Sequence, residues 1–157
     1  VLALTCHIEL FVQAHYIQSI APREDLCPLF KDVFKFHWKD ESRHVVMDEL
    51  EWKSEHEKLS PAERDQAVND LIALVAAVDA ILQAQSASDA DYFIRNVPRS
   101  FSVDETAQIK ASVLGAYRWQ YIISGVQHPH FGRLLTGMTT PAQMSRIQAE
   151  LAPIMSH

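Results

Sequence analysis

Residues 34–52 read FKFHWKDESRHVVMDELEW, and this stretch decides the fold predicted for the chain. An α-helix turns by about 100° per residue. On such a helix His37, Glu41, His44 and Asp48 fall on one narrow stripe between aromatic and aliphatic side chains. The spacing therefore predicts a long helix that carries two imidazoles and two carboxylates in one line.

Two interpretations of this stripe compete. Polar stripes with i,i+4 pairs are common on the solvent-facing side of ordinary helices. Imidazole nitrogen and carboxylate oxygen are, however, also ligands that iron, manganese and zinc accept. The apolar flanks favour a stripe that points inward, and we therefore predict that it binds metal.

A matching carboxylate, Glu9, lies upstream in an apolar segment. Residues 2–20 and 28–56 are predicted to form two helices joined by a turn near residues 23–25. In an antiparallel hairpin with equal arms, Glu9 and Glu41 stand at the same height, because each residue rises by about 1.5 Å. A buried carboxylate without a partner is costly, which favours Glu9 as a ligand of the same metal.

Four nearby side chains are predicted to support the site without touching the metal. Asp40 directly precedes Glu41, where an acceptor for a ligand histidine is often found. Arg43 is predicted to pair with Asp40 or with a carboxylate on a neighbouring helix. Asp48 extends the stripe by one turn, and Tyr16 lies on the facing side of the first helix, two turns beyond its glutamate.

The pattern His37-x3-Glu41-x2-His44, with Glu9 about one hairpin upstream, resembles part of a known protein family. It is similar to the last two ligand helices of the para-aminobenzoate N-oxygenase family, which are ferritin-like di-iron arylamine oxygenases. The family pattern is a Glu, a Glu-x-x-His, a further Glu, and then His-x3-Glu-x2-His. Glu9 matches the third element and the other three residues match the fourth, so the resemblance covers residues 9–52.

The first two elements of the family pattern are missing, because the only Glu-x-x-His of the chain runs from Glu41 to His44. The chain also starts at Val1 inside a predicted helix, without Met or a polar lead-in, as a fragment or a trimmed chain would. Three explanations stay open. The missing elements precede Val1 in a longer protein, or a second copy supplies them in a homodimer, or the site is degenerate and empty.

The resemblance implies an all-α, ferritin-like helical bundle, or a half-bundle completed from outside this chain. It implies that Glu9, His37, Glu41 and His44 hold iron, two ions per assembled site with Glu41 as the bridge; manganese and zinc are the alternative metals. Iron in such a site would activate dioxygen to oxidise a small aromatic, arylamine or lipophilic substrate. Electrons would come from an external donor, since the sequence has no flavin or nicotinamide motif.

A different class of function stays open beside the oxygenase. In it, the chain is a non-enzymatic ferritin-like helical protein that dimerises through its first two helices and binds metal weakly or not at all. The metal content of the protein distinguishes the two. Under both hypotheses, the chain is predicted to be a single all-helical domain of residues 1–157. Residues 1–56 form the metal-ligand hairpin, and residues 61–157 form the helices that cover it, called the covering helices below.

The covering helices are marked by their start signals. Ser60 with Glu63 and Ser102 with Glu105 form capping boxes, which open helices. The polar run SASD is predicted to interrupt the first of these helices. HPHFG, whose two histidines have no acid nearby in the sequence, is predicted to end the second. The predicted helices cover residues 61–85, 90–96, 103–126 and 141–151.

Other polar residues in apolar helices have structural interpretations. His7 lies about 200° from Glu9 around the first helix, on its opposite face. His15 is predicted to lie in the core or at an interface. Asp79 and Arg118 are predicted to form a buried pair between two covering helices, which is structural more often than catalytic.

Composition limits the remaining possibilities. The chain has 157 residues, 48% of them hydrophobic and only four of them glycine, which fits one globular helical domain. A net charge of −6 argues against a nucleic-acid partner. Two cysteines without a Cys-x-x-Cys predict a reducing, cytoplasmic location. The apolar run LIALVAAV is too short to span a bilayer, so no membrane partner is predicted.

Overall fold

The computed structural model describes residues 1–155, and all regular structure in that part of the chain is helical, with no strand. The predicted all-α class is confirmed, whereas a ferritin-like bundle remains a proposal. Two π-helical turns, Tyr16–Ile20 and Trp119–Ile123, continue the first and fourth helices. The helices are α1 (Leu2–His15), α2 (Pro28–Lys58), α3 (Pro61–Asn96), α4 (Val103–Arg118), α5 (Ser124–Val126), α6 (Pro129–Met138) and α7 (Pro141–Met155).

Helices α1 and α2 pack as the antiparallel hairpin that the sequence predicts. Gln13 donates a hydrogen bond to the Trp38 carbonyl oxygen at 3.2 Å. His15, further along α1, packs edge-on against Phe34, which precedes Trp38 on α2, with 5.8 Å between ring centroids. Because later residues of α1 meet earlier residues of α2, the two helices run in opposite directions.

Helices α3 and α4 form a second antiparallel hairpin, and both of its helices open at capping boxes. Arg118 near the end of α4 donates two hydrogen bonds to Asp79 in the middle of α3, at 2.6 and 2.8 Å. Lys110, nearer the start of α4, pairs with Asp91 near the end of α3 at 2.8 Å. The predicted buried pair between these helices is therefore confirmed.

Helix α1 lies in the centre of the molecule. It contacts α2, α3, α5, α6 and the second π-helical turn. Its apolar sequence, uninterrupted by charge except at Glu9, suits a helix that is covered on several sides. The buried residues of α1 are Cys6, His7, Leu10, Gln13 and Ala14.

Helix α6 was not predicted, because the HPHFG run reads as a helix stop. The run is instead a helix start: His128 precedes the helix and accepts a hydrogen bond from the His130 amide, and Pro129 occupies the first position. The helix then buries Phe131, Leu134 and Leu135 in the same apolar cluster as Cys6 and Leu10 of α1. Each such side chain contributes about 1.5–3 kcal/mol by burial.

Helix α3 is longer than predicted, because the polar run SASD does not interrupt it. Ser86 is buried, and its hydroxyl group donates to the Gln83 carbonyl oxygen at 3.2 Å. Asp89 accepts hydrogen bonds from Gln85 and from Tyr117 of α4. These contacts satisfy the polar side chains locally, so the helix continues to Asn96.

Among the described helices, α3 is long and apolar enough to cross a membrane by length and composition alone. Its most apolar window has a mean hydropathy of 1.7, and 28% of that window is buried. The run LIALVAAV therefore belongs to a longer apolar helix than the sequence analysis predicted. A core helix of a soluble protein can have the same length and composition, so the absence of a membrane partner stays a prediction.

Candidate metal centre

Three of the predicted ligands come together between α1 and α2. Glu9, Glu41 and His44 each place one ligand atom within 4.8 Å of the ligand atoms of the other two. Glu9 and Glu41 share a hydrogen bond, and His44 Nδ1 lies 2.5 Å from Glu41 Oε2. All three side chains are half-buried, so a cation can reach the cluster from solvent.

The fourth predicted ligand, His37, lies at the edge of this cluster. Its Nδ1 atom is 3.1 Å from Glu41 Oε1, so each carboxylate oxygen of Glu41 contacts one histidine. The Glu41 side chain is 15% exposed, against 49% for His37 and 45% for His44. Glu41 is therefore the central and least accessible of the predicted ligands on α2.

The titratable groups in this cluster shift one another's pKa. Burial, reinforced by the hydrogen bond and the charge of Glu41, raises the pKa of Glu9 to about 7. Burial also acts to raise the pKa of Glu41, but hydrogen bonds with Glu9 and His44 outweigh it and lower that pKa. The hydrogen bond to Glu41 raises the pKa of His44. The two carboxyl groups consequently share a proton near neutral pH.

Cys6 lies one turn before Glu9 on α1, near the same acidic side chains. Burial, together with the charges of Asp48, Glu49 and Glu9, raises the pKa of its thiol to about 11. Only a thiolate binds metal well, so Cys6 remains a protonated core residue. Burial is the main cause of this shift, and the three acidic side chains add to it.

A hydrogen-bonded contact fixes the register of the hairpin beside the cluster. Gln13 of α1 donates to the Trp38 carbonyl oxygen and accepts from the Ser42 hydroxyl group at 3.0 Å. Tyr16 stacks on Trp38, with 5.1 Å between the ring centroids. Ser42 was missed by sequence reasoning, although its position next to Glu41 was a usable signal.

The predicted supporting residues lie around the cluster, and the predicted pairing of Arg43 with Asp40 is confirmed. Asp40 pairs with Arg43 at 3.3 Å on the exposed side of α2, and acts on His44 only through its charge, which raises the histidine pKa. Asp48 is half-buried, and its charge raises the pKa of Glu9. These groups make the site more acidic and do not orient a ligand histidine directly.

The second histidine of HPHFG has an acidic partner that the sequence did not reveal. His130 Nε2 lies 2.7 Å from Glu49 Oε2, although 81 residues separate them. Lys53, one turn further along α2, also pairs with Glu49. Neither Glu49 nor His130 belongs to a metal-ligand cluster among the described residues.

A small pocket of about 330 Å³ opens beside His37. Aromatic side chains from α1, α2 and the segment after α4 form much of its wall, and His37 is the predicted ligand among them. The aromatic members of the lining are Phe11, His15, Tyr16, Phe34, His37 and Tyr121.

Comparison with known proteins adds no relative. Scans against protein-family models, curated proteins and solved structures find no significant match to this chain.

The donor set suits one transition-metal ion per chain. Two carboxylates and one imidazole supply oxygen and nitrogen, and His37 adds a fourth group next to Glu41. The three donors that converge, from Glu9, Glu41 and His44, leave open positions on zinc, iron or manganese, and His37 contacts Glu41 without joining this group. Carboxylate-bridged di-metal bundles draw ligands from four helices, so two ions would require donors from outside α1 and α2.

Proposed function

We propose that this protein binds a divalent transition metal, with iron as the working ion, through Glu9, Glu41, His44 and His37. The observation that supports the proposal is the pairing of two carboxyl groups with no permanent cation beside them. Among the ion pairs of the described residues, Glu41 pairs with His37 and His44, and neither Glu9 nor Glu41 pairs with a lysine or an arginine. A metal ion would replace the shared proton and neutralise this acidic site.

The second part of the proposal is that two copies of the chain assemble around the site as a homodimer. Helix α2 has one buried residue, Val45, and carries large apolar side chains on its open side. Phe36 is 66% exposed and Met47 is 64% exposed. Leu29, Val33 and Leu50 extend the same side of the helix, next to the stripe of ligands.

A second α1–α2 hairpin packed on this side would bury those apolar side chains. It would also bring a second set of carboxylates and histidines to the first, as a ferritin-like di-iron bundle requires. Exposed apolar stripes of this kind usually mark interaction surfaces. The homodimer thus accounts for the open face of α2 and for the missing half of the site together.

In this proposal the assembled protein is an oxygenase. Iron held by carboxylates and histidines supplies dioxygen activation, with electrons from an external donor protein. Glu9 and Glu41 share a proton that a bound metal would displace, while His37 lines the aromatic pocket where a small aromatic or arylamine substrate would lie. A reducing cytoplasm is the expected location because it keeps iron in the ferrous form.

Metal titration of matched variants tests the proposal. The wild-type protein should bind about one Fe(II) or Mn(II) per chain, and Glu41→Gln should weaken binding at least about a hundredfold, by loss of the central ligand. Glu49→Gln is the control, because it makes the same change on a half-buried glutamate of α2 that also contacts a histidine. Equal affinity in all three proteins would contradict the metal site.

Oxygen consumption separates the oxygenase from the non-enzymatic alternative. The Fe(II)-loaded wild type, given an electron donor and an arylamine, should consume dioxygen in proportion to product. Glu41→Gln should not. Stoichiometric metal binding without any turnover would favour the non-enzymatic ferritin-like protein, and a monomer that binds metal fully would contradict the shared site.

A further inference from the structure

The pocket of about 330 Å³ beside His37 lies between three segments of the chain. Its volume is near the lower end of the range for small-molecule sites, so it suits one aromatic ring with small substituents. Both π-helical turns contribute to its wall, and such turns are frequent at functional sites. The lining consists of Phe11, Val12, His15 and Tyr16 from the first helix and its π-helical turn, Phe34 and His37 from α2, and Gln120 and Tyr121 from the second π-helical turn.

The aromatic side chains of this wall hold one another in place. Phe11 packs edge-on against Tyr121, with 5.6 Å between ring centroids. His15 packs edge-on against Phe34 at 5.8 Å. Edge-on and offset contacts are the arrangements that aromatic rings prefer, so the wall favours a planar aromatic ligand over an aliphatic one.

The wall of the pocket carries no free positive charge. None of the eight described residues that line it is Asp, Glu, Lys or Arg. Burial lowers the pKa of His15, which keeps that ring neutral at physiological pH. His37 Nδ1 lies 3.1 Å from Glu41 Oε1, so a positive charge on His37 is already balanced by a carboxylate.

The lysines of α2 near the pocket lie elsewhere on the helix or have other partners. Lys35 and Lys39 are exposed, and each stands at least about 100° around α2 from Phe34 and from His37. Lys31 donates hydrogen bonds to two backbone carbonyl oxygens of the turn between α1 and α2, at 3.2 and 2.5 Å. These three cations therefore do not serve a ligand in the pocket.

The charges next to the pocket disfavour an anion. Arg118, directly before the second π-helical turn, donates two hydrogen bonds to Asp79. Glu41 places a carboxylate against His37, at the edge of the acidic cluster. A carboxylated or phosphorylated ligand would lose hydration in the pocket without gaining a counter-ion, whereas an uncharged ring incurs no such cost.

From these contacts we propose that the pocket selects uncharged aromatic molecules and rejects aromatic acids. The inference rests on the proposed function for the reaction, within which the substrate is an arylamine without a carboxylate or phosphate group. It sets this chain apart from para-aminobenzoate, the acid for which the resembled family is named. Gln120 determines the specificity, because its amide is the non-aromatic polar group of the wall and carries no charge.

Titration of the full chain with 4-aminobenzamide and with 4-aminobenzoate, followed by NMR of the ligand, tests the selectivity. The two molecules share the ring, the amine and the number of heavy atoms, and they differ in charge. The amide should bind at least about tenfold more tightly than the acid. Equal binding, tighter binding of the acid, or no binding of the amide would overturn the proposal.

An arginine in the wall should change this preference. Gln120→Arg supplies a counter-ion and should strengthen 4-aminobenzoate binding about tenfold, which removes most of the preference for the amide. Gln127→Arg is the matched control, because it makes the same change at an exposed residue outside the lining. An equal gain for the acid in both variants would show that net charge and not the pocket sets the preference, and would overturn the role of Gln120.

A larger side chain in the wall should block the pocket. Val12→Trp should weaken 4-aminobenzamide binding at least about tenfold, because the indole ring occupies the space of the ligand. Val103→Trp is the control, since Val103 is 85% exposed at the start of α4 and lies outside the lining. Unchanged binding in Val12→Trp would overturn the proposal, and if that variant does not fold, the two arginine variants still locate the site.

A chelator in every titration separates this test from that of the metal site. Selective binding of the amide by a protein that binds no metal would contradict the proposed function and leave the selectivity of the pocket intact. Metal binding without binding of the amide would contradict the selectivity alone.

Discussion

The two hairpins of this protein each withdraw a carboxylate from solvent, and they neutralise it differently. Asp79 in the α3–α4 hairpin is 5% exposed and receives two hydrogen bonds from the Arg118 guanidinium group. Glu9 in the α1–α2 hairpin faces another acid, Glu41, and a titratable His44. The fold thus supplies a permanent cation at the first site, whereas at the second the pKa of Glu9 is raised to about 7 and a proton is shared.

This difference distinguishes Asp79, whose carboxylate has a structural role, from Glu9, whose carboxylate is a candidate for function. Paired buried charges are common in helical proteins and carry no chemistry of their own. A carboxyl group whose pKa is raised beside a second carboxyl group, as at Glu9, costs stability, and such arrangements cluster at functional sites. Glu49, which contacts Lys53 and His130, is an intermediate case.

The largest expected effect comes from removing the cation of the α3–α4 hairpin. Arg118→Leu leaves Asp79 buried without its guanidinium partner and should cost about 3–5 kcal/mol in the free energy of unfolding, measured by urea denaturation. The double variant Asp79→Leu with Arg118→Leu should recover most of this loss. A single-variant cost below about 1 kcal/mol would show that the pair is not a buried structural one.

A smaller effect is expected when pH changes the protonation of the α1–α2 hairpin. The pKa of Glu9 is about 7 and that of His44 is raised, so both groups bind protons below neutral pH. A metal must displace these protons, so Mn(II) affinity should rise with pH, by up to about tenfold per pH unit for each proton released, and level off once the pH exceeds both pKa values. Calorimetry in two buffers measures the release, and a pH-independent affinity would contradict it.

The smallest effect is expected at the intermediate carboxylate. The hydrogen bond with Lys53 lowers the pKa of Glu49, against the effect of burial, and the hydrogen bond with His130 adds to it. Glu49→Gln should therefore change the free energy of unfolding by less than about 1 kcal/mol, because its partners are partly exposed. Loss of metal binding in this variant would show that the site extends beyond the predicted ligands.

Periodicity predicted most of the fold because the helices carry strong local signals. The two capping boxes start α3 and α4 where predicted, and helical spacing placed Glu9 opposite Glu41. The errors arose where tertiary contacts override local preference. Ser86 and Asp89 remain helical because α3 and α4 satisfy their side chains. Helix α6 exists because α1 buries its apolar face.

Helix geometry alone predicted part of the candidate site, namely the side chains that share one face of a helix. A 100° rotation per residue identifies which side chains share a face, and that was enough for Glu9, Glu41 and His44. It does not reveal contacts between distant segments. The pairing of His130 with Glu49, and the burial of His7 against Ile122, both depend on how the later helices cover α1.

The most direct test of the central claim is the stability of Glu9→Gln with and without metal at pH 7.5. A raised carboxyl pKa costs stability above that pKa, so the substitution should raise the melting temperature of chelator-treated protein. Mn(II) at about 100 times its dissociation constant should stabilise the wild type by about 2.7 kcal/mol and the variant by nothing measurable. A variant that is less stable without metal, and equally stabilised by Mn(II), would contradict the account.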